Sequence, residues 1–486
     1  MHHALRAFFQ RRSFGLWLVL LTLVAVGLRF ERLGGAPLGD EERWTLAQAC
    51  GFSFVDTIPP GRVTATDELA RWNDPLRVLR RIGSFDQPLF VLIEHVCLKG
   101  LPTSEWGLRA LPALVGGFTP LVLFSWVRRL TQPVTALLAA ALLAVHPLHV
   151  GLSRYARVYP IALCLLLAAY LAPTRLRGRP FSSLSAGLAG VQPLTHMLSG
   201  FGLIPHFAWL ATRGVPFGQL AGIALAGGVL LATALPFGLS DSILAEHIYT
   251  GLAHRSETSL LGLTATHLAT TAAYSGATLL GLDVGGLGLH TRFVLPLLAA
   301  LVWLCARGAR RLQPAARAVC LLGALLPLAV ALGLCLAYRN VLALLPRYSL
   351  WALPFLLVLL ATGLLSLGRA AGFASTAVLA LLAASAALSS ARAGAQPGYT
   401  LEQARAVAAC SSVRHPVVVS RPIDGFVAGA AGGRQTYFVL AQGPLAGDAL
   451  HLGDDRTCRP AGRVCPGPVP VCGDGRASTA SAVVGP

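Results

Sequence analysis

The sequence predicts an all-α polytopic membrane protein with about 11 transmembrane helices and a small C-terminal extracytoplasmic α/β segment. Composition is the first reason. Of 486 residues, 55% are hydrophobic and only 12% charged, and the mean hydropathy is +0.64, whereas a soluble chain carries about a quarter charged residues. The second is the recurrence of apolar runs of roughly 20 residues, the length a helix needs to cross a bilayer. The third is the placing of arginine. Short gaps between the runs hold Arg128–Arg129, then Arg175, Arg177 and Arg179, then Arg213, then Arg307, Arg310, Arg311 and Arg317, then Arg369, with no Asp or Glu among them. Alternate gaps are longer and mix acids with bases. This is the positive-inside pattern, and it orients every span.

The first run, Ser13 to Leu28, follows Arg6, Arg11 and Arg12, which keeps the N-terminus cytoplasmic. It has no small-residue cleavage site and reads as an anchor, not a removed signal peptide. Spans are expected at 14–30, 107–127, 132–152, 159–173, 182–194, 198–212, 217–237, 292–306, 317–337, 349–367 and 371–390. Outer loops then cover 31–106 and 238–291, the second with an interfacial helix or a hairpin over 260–282. The run Gln87 to Gly100 is apolar but carries Glu94, His95 and Lys99. Crossing there would invert every later arginine gap, so it is expected as a juxtamembrane helix on the outer face. The order puts the C-terminus outside, in the periplasm of an inner-membrane protein. No internal repeat favours an inverted-repeat transporter. The net charge of +18 resides in the arginine gaps without a basic face of interleaved aromatics, so nucleic acid is not an expected partner.

Two domains follow, 1–391 in the membrane and an extracytoplasmic tail over 392–486. The tail is rich in Gly, Pro and Ala, with strand-forming stretches at HPVVVS and TYFVLAQ. Its Cys410, Cys458, Cys465 and Cys472 sit at an oxidising face and are expected as disulfides, in any of three connectivities. Their spacing fits no common zinc site, and no metal site is expected.

Polar residues recur at the outer face. Asp40 and Glu41 stand side by side after the first span, and Asp86 ends the first loop. Arg154, Arg157 and Tyr159 lie in SRYARVYP, His196 lies between two spans, and Arg347-Tyr348 lies at a later outer end. Each has an ordinary structural reading: carboxylates at a helix N-terminus, snorkelling arginines, an interfacial tyrosine, a helix-end histidine. His146 and His149, near the same face, have no better claim. Together they suit one task. Guanidinium forks with a tyrosine can clamp a phosphate, and a nearby carboxylate can take a proton from an acceptor hydroxyl. The chain has no Gly-rich phosphate loop for a nucleotide sugar, whereas a lipid-borne sugar phosphate needs none.

On these residues the chain resembles the GT-C superfamily of integral-membrane glycosyltransferases, in particular bacterial relatives of dolichyl-phosphate-mannose–protein mannosyltransferases. The resemblance covers about 14–370 and rests on four ordered elements: LRFERLGGAPLGDEERWTLA, DQPLFVLIEHVCLKGLPTSEWGLRALPALVGG, HPLHVGLSRYARVYPIAL and LPRYSLWALPFLLVL. It implies a GT-C fold, with Asp40 as the catalytic acid/base and Glu41 beside it. It also implies a donor-phosphate site of Arg154, Arg157, Tyr159, Arg347 and Tyr348, with Thr195 and His196 as the Thr-His between spans. Many members have His-Pro-Pro-Leu where this chain has Asp86-Gln87-Pro88-Leu89, and some have an aspartate where it has Tyr159-Pro160. Those departures leave a divalent-cation cofactor with little support. The expected activity is inverting transfer of a sugar from a polyprenyl-phosphate donor to an extracytoplasmic protein, lipid or glycan. The alternatives are a lipid-linked glycan flippase, which could use the same clamp without chemistry, and a non-catalytic assembly subunit.

Overall fold

The computed structural model describes residues 11–51, 63–65, 78, 87–172, 178–234, 273, 275–281, 291–338, 346–393, 401, 404–405, 417–419, 427, 437–440, 450–452 and 483–484. The chain divides into two compact units. One comprises 1–31, 112–234 and 245–392; the other comprises 32–111, 235–244 and 393–486. The four tail cysteines, Asp86 and most of 238–291 lie outside the described residues.

The first unit is helical. It contains α1 (Arg11–Phe30), most of α4 (Glu105–Val127), α5 (Pro133–Ala144), α6 (Pro147–Ser153), α7 (Tyr159–Leu171), α8 (Gly178–Thr195), α9 (Leu203–Thr212), α10 (Phe217–Ala234), α11 (Thr291–Arg311), α12 (Pro314–Tyr338), α13 (Leu353–Leu365) and α14 (Ala371–Ala393). Short 3-10 segments at Met197–Gly202, Pro346–Ala352 and Gly368–Ala370 join some of them. Among the described residues four helical stretches are long and apolar enough to cross a membrane, five if α5 and α6 form one broken span. Large apolar side chains such as Leu16, Leu23, Phe217, Leu225, Trp303 and Phe373 are exposed. Water would penalise such a surface, whereas hydrocarbon accepts it. This is a multi-pass helical membrane protein.

Close helix packing here depends on absent side chains. A Cβ at Gly308 of α11 would collide with the Leu359 carbonyl oxygen of α13, and one at Gly363 of α13 with the Leu304 carbonyl of α11. The two backbones therefore touch directly, the use that membrane helices make of small residues.

The expected single span over 132–152 is instead two helices, α5 and α6, bent by 56°. Pro147 is the cause. It lacks an N–H, and the residue before it is pushed out of the helical region: His146 has φ −68° and ψ 120°. The carbonyls released at the end of α5 find a donor in buried Arg29 of α1. Its guanidinium donates to Ala144 O at 3.0 Å and Leu143 O at 3.5 Å, and also to Ala25 O and to His149 Nδ1, at 2.7 and 2.6 Å. Gly116 leaves room for this network, since a Cβ there would meet Ser153 and stand 3.2 Å from Arg29 Nε. His146 Nε2 donates to Leu279 O at 3.1 Å, tying the break to the 275–281 turn.

The second unit joins the first loop to the tail. It holds α2 (Asp40–Ala49), α3 (Pro88–Gly100) and a five-stranded sheet in the order β1-β3-β2-β4-β5. Here β1 is Val63–Ala65, β2 Val417–Val419, β3 Tyr437–Leu440, β4 Leu450–Leu452 and β5 Val483–Val484. β1, from the first loop, pairs antiparallel with β3 of the tail, Val63 opposite Val439. β2 and β3 are parallel. Two side chains reinforce the join: Leu401 N donates to Glu105 Oε1 at 2.5 Å, and Arg405 donates to Thr103 O at 3.1 Å. α2 packs on α3 through Ala49, Val78 and Val91, and His95 Nδ1 donates to Ala49 O at 2.8 Å.

Candidate functional site

In the second unit the first loop enters α2 through Gly39, extended at φ −69° and ψ 163°. Asp40, Glu41 and Glu42 then fill the first turn, where the helix dipole favours negative charge. Glu42 has a structural task that the sequence reading did not assign. It closes the helix start by accepting from Gly39 N at 2.9 Å. It also forms a buried two-pronged ion pair with Arg109, Nε to Oε1 and Nη2 to Oε2, both at 2.7 Å. Arg109 spends its remaining protons on the carbonyls of Leu33, Ala36 and Pro37, at 3.1, 2.8 and 2.8 Å. Arg43 donates to Leu38 O at 3.1 Å. The loop Leu33–Gly39 is thus held from inside by two arginines, and the turn bearing Asp40 and Glu41 has a fixed backbone. Glu41 is half-buried, and the Asp40 side chain lies outside the described residues.

On α3, in the same unit, Glu94 is fully buried, and among the described residues neither of its oxygens has a hydrogen-bond partner. Desolvation pushes its pKa up to about 8. Cys97, one turn on, has its thiol pKa raised by burial and by the Glu94 charge. Gln48 of α2 is also buried, and its amide has no hydrogen-bond partner among the described residues.

The helical unit gathers four of the residues singled out in the sequence. Tyr159 opens α7, preceding Pro160 at the second helical position, and is buried. His196 occupies the single non-helical residue between α8 and the 197–202 turn, and a knot of buried side chains secures that junction. Thr195 Oγ1 donates to Gln192 O at 2.6 Å, Ser199 Oγ reaches Gln192 O at 2.7 Å and His196 O at 2.6 Å, and Gln192 Nε2 donates to Ala162 O of α7 at 3.2 Å. The His196 ring meets Tyr159 at 5.5 Å and Tyr348 at 6.2 Å between centroids. Arg347 lies over the Tyr348 ring, 4.9 Å from its centroid, and donates to its hydroxyl at 3.2 Å. Trp351, absent from the sequence reading, completes the group at 5.6 Å from His196.

The SRYARVYP segment is the turn between α6 and α7. Arg154 donates to Glu31 O at 2.7 Å, linking the end of α1 to this turn. Arg157 is buried two residues before Tyr159. Such a group, a guanidinium braced on a tyrosine beside an imidazole, can hold an anionic headgroup through charge-assisted hydrogen bonds. The acidic pair belongs to the other unit. An apolar cavity of about 390 Å³ lies among α11, α12 and α13, lined by Leu298, Val302, Leu321, Leu325, Leu356 and Leu359 among others.

A family model described as dolichyl-phosphate-mannose-protein mannosyltransferase matches residues 96–191, the stretch from α3 into α8 that contains SRYARVYP. No curated relative matches the chain. Among solved structures, the oligosaccharyltransferase of Archaeoglobus fulgidus in complex with zinc and sulfate is 15% identical, with a TM-score of 0.46. The comparison covers 86% of this chain and 61% of that one, so the chain spans less than two thirds of that enzyme. ArnT from Cupriavidus metallidurans bound to undecaprenyl phosphate is also 15% identical, with a TM-score of 0.39, over 86% of this chain and 85% of that one.

Proposed function

We propose that this protein is an inverting membrane glycosyltransferase that moves a sugar from a polyprenyl-phosphate donor to an extracytoplasmic acceptor. The observation that carries the reading is the cluster of Arg347, Tyr348, His196 and Tyr159, assembled from separate helical elements in a membrane-spanning unit. The partial match to a family named for a dolichyl-phosphate-sugar donor supports it, and an apolar cavity in the same unit suits an isoprenoid chain.

In this reading Arg347, with Arg154 and Arg157, stabilises the phosphate as it departs, an electrostatic contribution of about 3 kcal/mol per donor in a dry site. Asp40, with Glu41 beside it, removes the proton from the acceptor hydroxyl as it attacks the anomeric carbon. The acceptor oxygen gains the sugar, the phosphate leaves with the bonding pair, and the anomeric configuration inverts. The active face is periplasmic, with the N-terminus inside and the C-terminus outside, in the inner membrane. A strain lacking the protein is expected to lose one sugar from a cell-envelope glycan, lipid or protein and to accumulate the lipid-phosphate sugar. Complementation by the wild type and not by Asp40→Asn restores it. An unchanged glycan profile with no donor accumulation contradicts the proposal.

A further inference from the structure

We propose that Trp351 is a positioning residue for the anion site, setting the orientation of His196 and, through Tyr348, the stance of the Arg347 guanidinium. The inference rests on the reading of that cluster as the donor-phosphate site. Pro346–Ala352 is a 3-10 segment, and at three residues per turn the side chains at i and i+3 eclipse. Tyr348 and Trp351 therefore stand on one face, and both meet the same imidazole, with interplanar angles of 47° and 53°. Tyr159 meets it from α7 at 43°. His196 is thus flanked by three aromatic rings, two of them on the short element that carries Arg347.

Trp351 is the member of this group best placed to hold the others. It is buried at 1% exposure, whereas Tyr348 and Arg347 are half-buried and remain accessible to a ligand. It leads directly into α13, whose first residues Leu353, Pro354 and Phe355 are all buried. A large rigid ring anchored there and pressed on His196 locks the turn to the α8 junction. Removing the ring leaves Arg347 and His196 in the chain but frees their relative placement.

The test is a double-mutant cycle on binding of undecaprenyl phosphate to the full-length protein in nanodiscs. Trp351→Phe keeps a ring against His196 and is expected to bind within about threefold of wild type. Trp351→Leu and His196→Ala are each expected to bind about tenfold more weakly, and the double variant no more weakly than His196→Ala alone. In transfer assays Trp351→Leu is expected to raise KM for the donor and also to lower kcat, since Arg347 serves the phosphate both bound and departing, while Trp351→Phe restores both. If Trp351→Leu does not accumulate, Trp351→Met, whose flexible thioether fills space without a ring, supplies the same cycle. Additive losses, or unaltered binding with only a lowered melting temperature, overturn the positioning role. Absence of wild-type binding overturns the donor-site reading and this inference with it.

Discussion

The three consecutive carboxylates that open α2 have separate fates, and the separation is physical. Glu42 is paired with Arg109 in a buried two-pronged ion pair. Removing one partner of such a pair leaves the other charge buried, so Glu42→Gln is expected to cost about 3–5 kcal/mol and to appear as a lower melting temperature or poor accumulation. Asp40→Asn is expected to fold normally and to lower turnover by about 100-fold or more, the scale of losing a general base. Equal stability of the two variants would contradict this division. Adjacent acids in a sequence look alike, and Arg109 is 67 residues from Glu42 with no periodic signal to join them. The pair Asp40-Glu41 was therefore legible as a candidate while the residue that holds it was not.

Glu94 supplies a pH dependence of defined sign. Burial raises its folded-state pKa to about 8, above that of the unfolded chain, so the native state holds the proton more tightly. Its contribution to stability is complete below the unfolded carboxylate pKa of about 4.3 and is lost as pH rises through about 8. The melting temperature of the wild type is expected to fall between pH 5 and pH 9. Glu94→Gln, neutral throughout, is expected to flatten that decline. A wild-type profile independent of pH over this range would show that Glu94 is solvated and not buried.

At the scale of elements, hydropathy and arginine spacing located the helices well, because both depend on local composition. α7, α10, α12 and α14 fall where apolar runs and arginine gaps put them. The break between α5 and α6 was signalled by Pro147, but an apolar average over 132–152 runs through a single proline. The strand pairing of 63–65 with 437–440 joins positions far apart in the chain, and short strands leave register to tertiary contacts. A tryptophan in a helical apolar run looks like core, which hides Trp351 in the sequence; its three-residue spacing from Tyr348 is the local signal that marks it. The backbone contact of α11 with α13 gives a further expectation. Gly308→Val or Gly363→Val must push the helices apart, at a cost of about 1–3 kcal/mol, whereas Gly372→Ala, where a Cβ meets nothing, is expected to be neutral. Comparable melting temperatures for all three would contradict the close approach.

At the scale of the whole molecule, candidate donor and acceptor chemistry fall in different units of the chain. The cluster of Arg347, Tyr348, His196 and Tyr159 lies in the helical unit, and the acidic turn lies in the unit that joins the first loop to the tail. A truncation lacking 395–486 removes β2 to β5 and the Leu401 bond to Glu105. It is expected to keep binding undecaprenyl phosphate within about threefold while losing transfer, because it disturbs only the unit bearing Asp40. Loss of binding together with transfer would show that the donor site depends on the tail.

The central claim is that a sugar leaves a polyprenyl phosphate through these residues. The most direct measurement follows radiolabel from a polyprenyl-phosphate sugar incubated with the purified full-length protein and membranes from a strain lacking it. The account predicts that label moves from the lipid into a non-lipid-phosphate product with the wild type. It also predicts that movement falls by about 100-fold with Asp40→Asn and that Arg347→Lys restores only part of what Arg347→Ala loses. Label that stays on the polyprenyl phosphate while the lipid crosses the bilayer would contradict the account and identify a transporter in its place.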